Sequence, residues 1–152
     1  MQLDQTDKII LEILQEDAKT THKELAQQLG LTITPVYERI KRLQDRGYIE
    51  KYIALVNPEK AGKTMTVFCE VSLKEHSQAA IEKFNAHINQ FDEIMECYHM
   101  AGEFDFLIKI VIEDMPAYQH FLVHKFGTYT DIDRLRSSFT LSTLKQKLAL
   151  KF

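Results

Sequence analysis

Apolar residues in the first third of the chain recur at helical spacing, whereas most of the rest alternates in strand-like runs. Ile9, Ile10, Ile13 and Leu14 share one face of a helix that Asp4 can cap. In TTHKELAQQLG, Thr21 and Glu24 have the spacing of a capping box. Leu25, Ala26 and Leu29 form the inner stripe of that helix, and Gly30 stands where a left-handed residue stops it. A third helix is expected to open at Thr34-Pro35, with Thr34 as its cap. It would bury Val36, Ile40 and Leu43, and Gly47 would end it. The following YIEKYIALVN, with its β-branched and aromatic residues, predicts a short two-stranded wing.

The texture changes near Asn57-Pro58. TMTVFCEVSL places Met65, Val67, Cys69, Val71 and Leu73 on one side of a strand. A helical pattern then carries Ala80, Ile81, Phe84 and Ile88. EIMECYHMA and EFDFLIKIVI predict a hairpin turning around Ala101-Gly102-Glu103. MPAYQHFLVHKF is a helix announced by Asp114 and Pro116. RLRSSFTLSTLK is expected as a last long strand, with a short tail strand in KLALKF. The order βαββαβ is that of a ferredoxin-like sheet with both helices on one face. The fold class is therefore α+β, with a winged helix-turn-helix domain over residues 1–57 and a ferredoxin-like domain over residues 58–152.

The other sheet face is too apolar for a wetted surface. One side of the Phe104–Ile112 segment carries Phe104, Phe106, Ile108, Ile110 and Ile112, yet Leu107 and Val111 stand on the opposite side. Phe68, Tyr98 and Met100 also fall opposite their strands' main apolar set. A second copy of the chain is the simplest cover.

Charge changes this picture only locally. Nineteen Lys and Arg against 22 Asp and Glu give a net charge of -3, so no global field draws the chain to nucleic acid. Arg39, Lys41, Arg42, Arg46 and Lys51 nevertheless cluster in LGLTITPVYERIKRLQDRGYIEKY. Two short helices joined through Gly30, the second cationic outside, form a helix-turn-helix pattern whose natural partner is double-stranded DNA. In a groove, Arg39, Lys41, Arg42 and Arg46 would meet phosphates. Thr32, Thr34, Val36 and Glu38, beside Pro35 at the helix start, would approach base edges. The alternative is a solvated helix in which Glu38 and Arg42 form an ordinary i, i+4 pair. The ordered caps, turn and following wing favour DNA over that reading.

Other chemistry is sparse. Cys69 and Cys97 are too few and too separated for a disulfide framework or a cysteine-rich metal site. The N-terminus has no secretory pattern, and the apolar runs are too short to span a bilayer, which predicts a cytoplasmic, nucleoid-associated protein with no membrane partner. His120 and His124 stand i, i+4, but HFLVH lacks the metalloprotease glutamate, so no metal is assigned. Glu103 and Asp105 lack a nucleophile or base partner, so no catalysis and no cofactor are assigned.

Residues 29–62, LGLTITPVYERIKRLQDRGYIEKYIALVNPEKAG, resemble the signature of the Lrp/AsnC transcriptional regulators, and GEFDF at 102–106 resembles that family's second motif. The resemblance covers essentially the whole chain. It implies a DNA reader joined to an effector-sensing and assembly domain, homodimers that associate into octamers, and an amino acid as effector. It further implies effector contacts from Met100, Ala101, Gly102, Glu103 and Asp105 in the hairpin and from the loop before the last strand. There, Tyr129-Thr130-Asp131-Ile132 replaces the family's Leu-Pro-Gly-Val. Ser137 or Ser138 would serve the effector's carboxylate, and Glu103, Asp105 or Asp131 its ammonium group.

Overall fold

The computed structural model describes residues 2–152, which form two compact units. One comprises the chain up to Leu55 together with Lys145–Phe152, and the other spans Val56–Leu144.

The first unit is built on α1 (Gln5–Glu16), α2 (His22–Leu29) and α3 (Ile33–Asp45). Reciprocal capping boxes open the first two helices, Asp4 with Asp7 and Thr21 with Glu24. Gly30 adopts φ 64° and Gly47 φ 73°, left-handed turns that an L side chain resists. Each lets the next amide turn back onto the helix, Leu31 to the Ala26 carbonyl and Tyr48 to that of Leu43, both at 2.9 Å. The core joins Ile10, Leu11 and Leu14 of α1 to Leu25 and Ala26 of α2 and to Val36, Ile40 and Leu43 of α3. Leu11, not Ile9, completes the buried face of α1, and Ile9 stays exposed.

Three expectations change here. α3 opens at Ile33, so Thr32 rather than Thr34 is its N-cap, and it makes no side-chain capping bond. Pro35 still lies in the first turn, where an amide donor would have no helical acceptor. The wing does not form: residues 51–57 contain no strand, and Ile53, Leu55 and Val56 are exposed. An apolar strand with no neighbouring edge to pair with gains no ladder. The tail forms no strand either. It lies along α1, where the Gln15 side chain accepts from the Leu150 amide at 2.7 Å and donates to its carbonyl at 3.1 Å. Lys145–Phe152 thus groups with the first unit, not with the sheet domain to which the sequence pattern assigned it.

The second unit is a four-stranded antiparallel sheet in the order β2-β3-β1-β4, made of β1 (Met65–Leu73), β2 (Ile94–His99), β3 (Phe106–Ile112) and β4 (Ile132–Phe139). Helices α4 (Gln78–Ile88) and α5 (Met115–His124) supply Phe84, Ile88, Tyr118 and Phe121 to a core shared with Val67, Cys69, Val71, Ile108 and Ile110. This is the ferredoxin-like arrangement. β4 starts earlier and ends sooner than expected, and Leu141 and Leu144 beyond it are exposed. Phe104 precedes β3 and lies under Arg134 and Arg136, 5.4 and 4.9 Å from its ring, on the face away from the helices. It does not continue the buried row of Phe106, because the chain bends between Ala101 and Asp105. The open face also carries exposed Phe68 and Tyr98, with Leu107 and Val111 half-buried between them.

Candidate nucleic-acid interface and effector end of the sheet

Val36, Ile40 and Leu43 anchor α3 to the core. Their burial fixes what the helix can present. Val36 is 0% exposed, so its side chain is a plug between helices and offers no contact to a base edge. Thr34, Glu38, Lys41 and Asp45 follow one another at i, i+4, i+7 and i+11 on the opposite side, and all are exposed. Thr32 and Pro35 are exposed at the helix start, and Arg46 is exposed at its end.

The cations divide into two groups. Arg39 donates to Asp4 at 2.6 Å and to Asp7 at 2.7 Å. Arg42 donates to both oxygens of Asp7, at 2.9 and 3.1 Å. The Asp7 side chain is only 3% exposed. The Asp7 amide, which donates to Asp4 at 2.8 Å, and then the Arg39 guanidinium hold the Asp4 carboxyl below its ordinary range. Asp4, followed by Asp7, raises the Arg39 guanidinium in turn. Expected as phosphate ligands, Arg39 and Arg42 are instead turned toward α1, because a buried carboxylate needs compensating donors. Lys41 and Arg46 make no ion pair among the described residues and remain free for a polyanion. Tyr37 stands edge-on to His22 at 5.5 Å and, with Lys41, lines a cleft of about 270 Å³ beside α3.

In the second unit, the hairpin from Met100 to Asp105 closes through the Met100 amide on the Asp105 carbonyl at 2.8 Å. Met100, Ala101, Gly102 and Glu103 are exposed there. Asp105 accepts from the Leu73 amide at 2.8 Å and meets His76 at 3.1 Å. Glu103 lies 3.5 Å from Arg134. The resemblance offered Ser137 and Ser138 as equivalents, but β4 separates them. Ser137 pairs with Cys69 in register, and its hydroxyl contacts that of Tyr118 at 2.6 Å on the helix side. Ser138 pairs with Phe68 on the open face. Ser137 is therefore withdrawn from the effector set, since alternation along a strand sends neighbours to opposite faces. The Asp131 carboxylate is committed to Lys83 of α4 at 2.6 Å, which holds it below its ordinary range and occupies the acceptor expected for an ammonium group.

Sequence reasoning missed three residues. Asp7 was invisible because its partners lie 32 and 35 positions away. Arg134 and Arg136 were legible only as cations at alternate positions of β4, a signal that places both beside Ser138 on one face. Burial raises the Cys69 thiol and pushes that of Cys97 up to about 11, which suits inert thiols. His120 and His124 lie with ring centroids 4.8 Å apart, and no cluster of three potential metal ligands occurs among the described residues.

The fold and its two sites define a class: a helix-turn-helix unit joined to a ferredoxin-like sensing domain. The family description "winged helix-turn-helix DNA-binding" matches residues 3–50, and "Lrp/AsnC ligand binding domain" matches residues 66–150. The leucine-responsive regulatory protein of Salmonella typhimurium is 35% identical over 95% of this chain and 88% of its own length. A transcriptional regulator of Neisseria meningitidis, solved as its complex with L-methionine, superposes with a TM-score of 0.91 at 32% identity, covering 98% of this chain and 96% of that one. Escherichia coli AsnC superposes with a TM-score of 0.90 at 26% identity, covering 97% and 98%. The chain belongs to the Lrp/AsnC family of transcriptional regulators and is a DNA-binding regulator of that class.

Proposed function

We propose that this regulator reads double-stranded DNA with the outward face of α3, where Thr34, Glu38 and Lys41 face the groove and Thr32, Pro35 and Arg46 flank it. The observation that carries this reading is the burial of Val36, Ile40 and Leu43, which leaves that one face of α3 free. The working form is a homodimer joined through the open sheet face, with dimers assembling into an octamer. Exposed Phe68 and Tyr98 beside half-buried Leu107 and Val111 support a second copy as the cover. The protein acts in the cytoplasm, on the nucleoid, and carries no catalytic role.

Its effector is a small amino acid bound at the hairpin end. Met100, Ala101 and Gly102 shape the site, Glu103 receives the ammonium group and Arg134 the carboxylate, while Asp105, which holds the Leu73 amide, orients the hairpin and Ser138, four residues along β4 from Arg134, lies outside the site. The methionine complex of the Neisseria relative supports an amino acid as the class. Gel shift against genomic fragments at graded salt, repeated with each of the twenty amino acids, tests both parts. Absence of binding at low salt would refute the DNA reading. Unchanged binding and no thermal shift with any amino acid would refute the sensor reading.

A further inference from the structure

We propose that Glu38 is a specificity-determining residue that selects a C·G base pair by accepting a hydrogen bond from the cytosine 4-amino group in the major groove. This rests on α3 being the recognition helix. The sequence gives Glu38 a natural partner in Arg42, four residues on. That pair does not form, because Arg42 is bound to Asp7 at 2.9 and 3.1 Å. Lys41, the other cation within reach, makes no ion pair among the described residues. Glu38 is thus an exposed carboxylate with no cation partner among the described residues, set between Thr34 and Lys41 on the free face of α3.

With Arg39 and Arg42 neutralised by Asp4 and Asp7, the outward charge reduces to Glu38 and Asp45 against Lys41 and Arg46. A helix that served only to neutralise phosphates would gain nothing from a carboxylate there, since it repels the backbone. It gains from one only if a base supplies a donor. A carboxylate has acceptors alone, so guanine O6 and N7 and thymine O4 repel it. Two donors remain in the major groove, the amino groups of cytosine and adenine. Adenine places its N7 lone pair beside its amino group, whereas cytosine places a C–H there. Cytosine is therefore the match. Asp45 lies two turns further along, and base contacts come from the N-terminal part of a recognition helix.

Binding-site selection with the full chain, comparing wild type with E38A and E38Q, tests the proposal. In the wild-type site, replacing one cytosine should weaken binding by about tenfold to a hundredfold. The E38A variant should lose preference at that position alone and bind nonspecific DNA at least as tightly as wild type. The E38Q variant should move the preference toward adenine, which pairs bidentately with an amide. Full retention of every preference in E38A, or a general loss of nonspecific affinity, would overturn the assignment. Altered preferences in a Thr34→Val variant with none in E38A would remove Glu38 while keeping α3 as reader. Wild-type protein that selects no sequence would remove both.

Discussion

Arg39 reaches from α3 to Asp7 of α1, placing Nη1 2.7 Å from an oxygen of a carboxylate whose side chain is 3% exposed. The contact links the capping of α1 to the orientation of α3. Asp7 caps the Asp4 amide, Asp4 caps the Asp7 amide, and both receive Arg39. Replacing Asp7 by Asn should destabilise the first unit by about 1–3 kcal/mol, less than breaking a fully buried pair costs, because both arginines are partly solvated. The shift in urea midpoint at constant m-value measures it.

The salt dependence of DNA binding should separate the two groups of cations. Lys41→Ala and Arg46→Ala should each lower the slope of log K against log salt by about 1, because each removes a phosphate contact. Arg42→Ala should leave the slope unchanged and weaken binding only through the position of α3. Fluorescence anisotropy at several ionic strengths decides this. A reduced slope for Arg42→Ala would mean that the arginine leaves Asp7 when DNA binds.

Acid should act on stability through paired carboxylates. Lys109 first, and Tyr98 after it, hold Glu96 below its ordinary value, and Arg136 does the same for Glu70. A carboxyl depressed in the folded state binds its proton more readily when unfolded. Its contribution is complete above the unfolded value and disappears as pH falls through the folded one. Urea midpoints should therefore stay flat from pH 7 to about 5 and fall below about 4, where unfolded carboxylates take up protons. Tyrosine fluorescence reports the transition, since the chain contains no Trp.

Ser137→Ala and Arg134→Ala should give opposite results. The first removes a hydroxyl 2.6 Å from that of Tyr118 and should cost about 1–2 kcal/mol of stability with no change in effector binding. The second should leave stability unchanged and weaken the effector. Thermal melts with and without the amino acid distinguish the two variants.

Phe68→Asp tests the open face. It places a carboxylate in the centre of the proposed dimer interface and should yield monomers by light scattering while far-UV circular dichroism is retained.

Much of this was legible where the determining chemistry is local. Thr21 with Glu24, and Gly30 and Gly47, act over a few residues, and the sequence places them as the structure does. The start of α3 was misread because Thr34-Pro35 matches a cap-and-proline pattern, whereas Pro35 fits equally well two positions deeper in the amide-free turn. The wing was misread because β-branched composition signals a strand without supplying its partner.

The chain's periodicities by themselves determined the order of the five helices and the four paired strands, most of the cores beneath them and the face that α3 turns outward, because burial selects one period for a helix and another for a strand. Tertiary structure alone decided which polar groups are free. A guanidinium, a hydroxyl or a carboxylate looks the same in a sequence whether it faces solvent or a partner, and only the fold brought Asp7 to Arg39 and Arg42, Tyr118 to Ser137 and Lys83 to Asp131. Desolvated charges and hydroxyls require such partners, and by claiming them the fold left Glu38 and Lys41 exposed on α3 with no ion pair among the described residues.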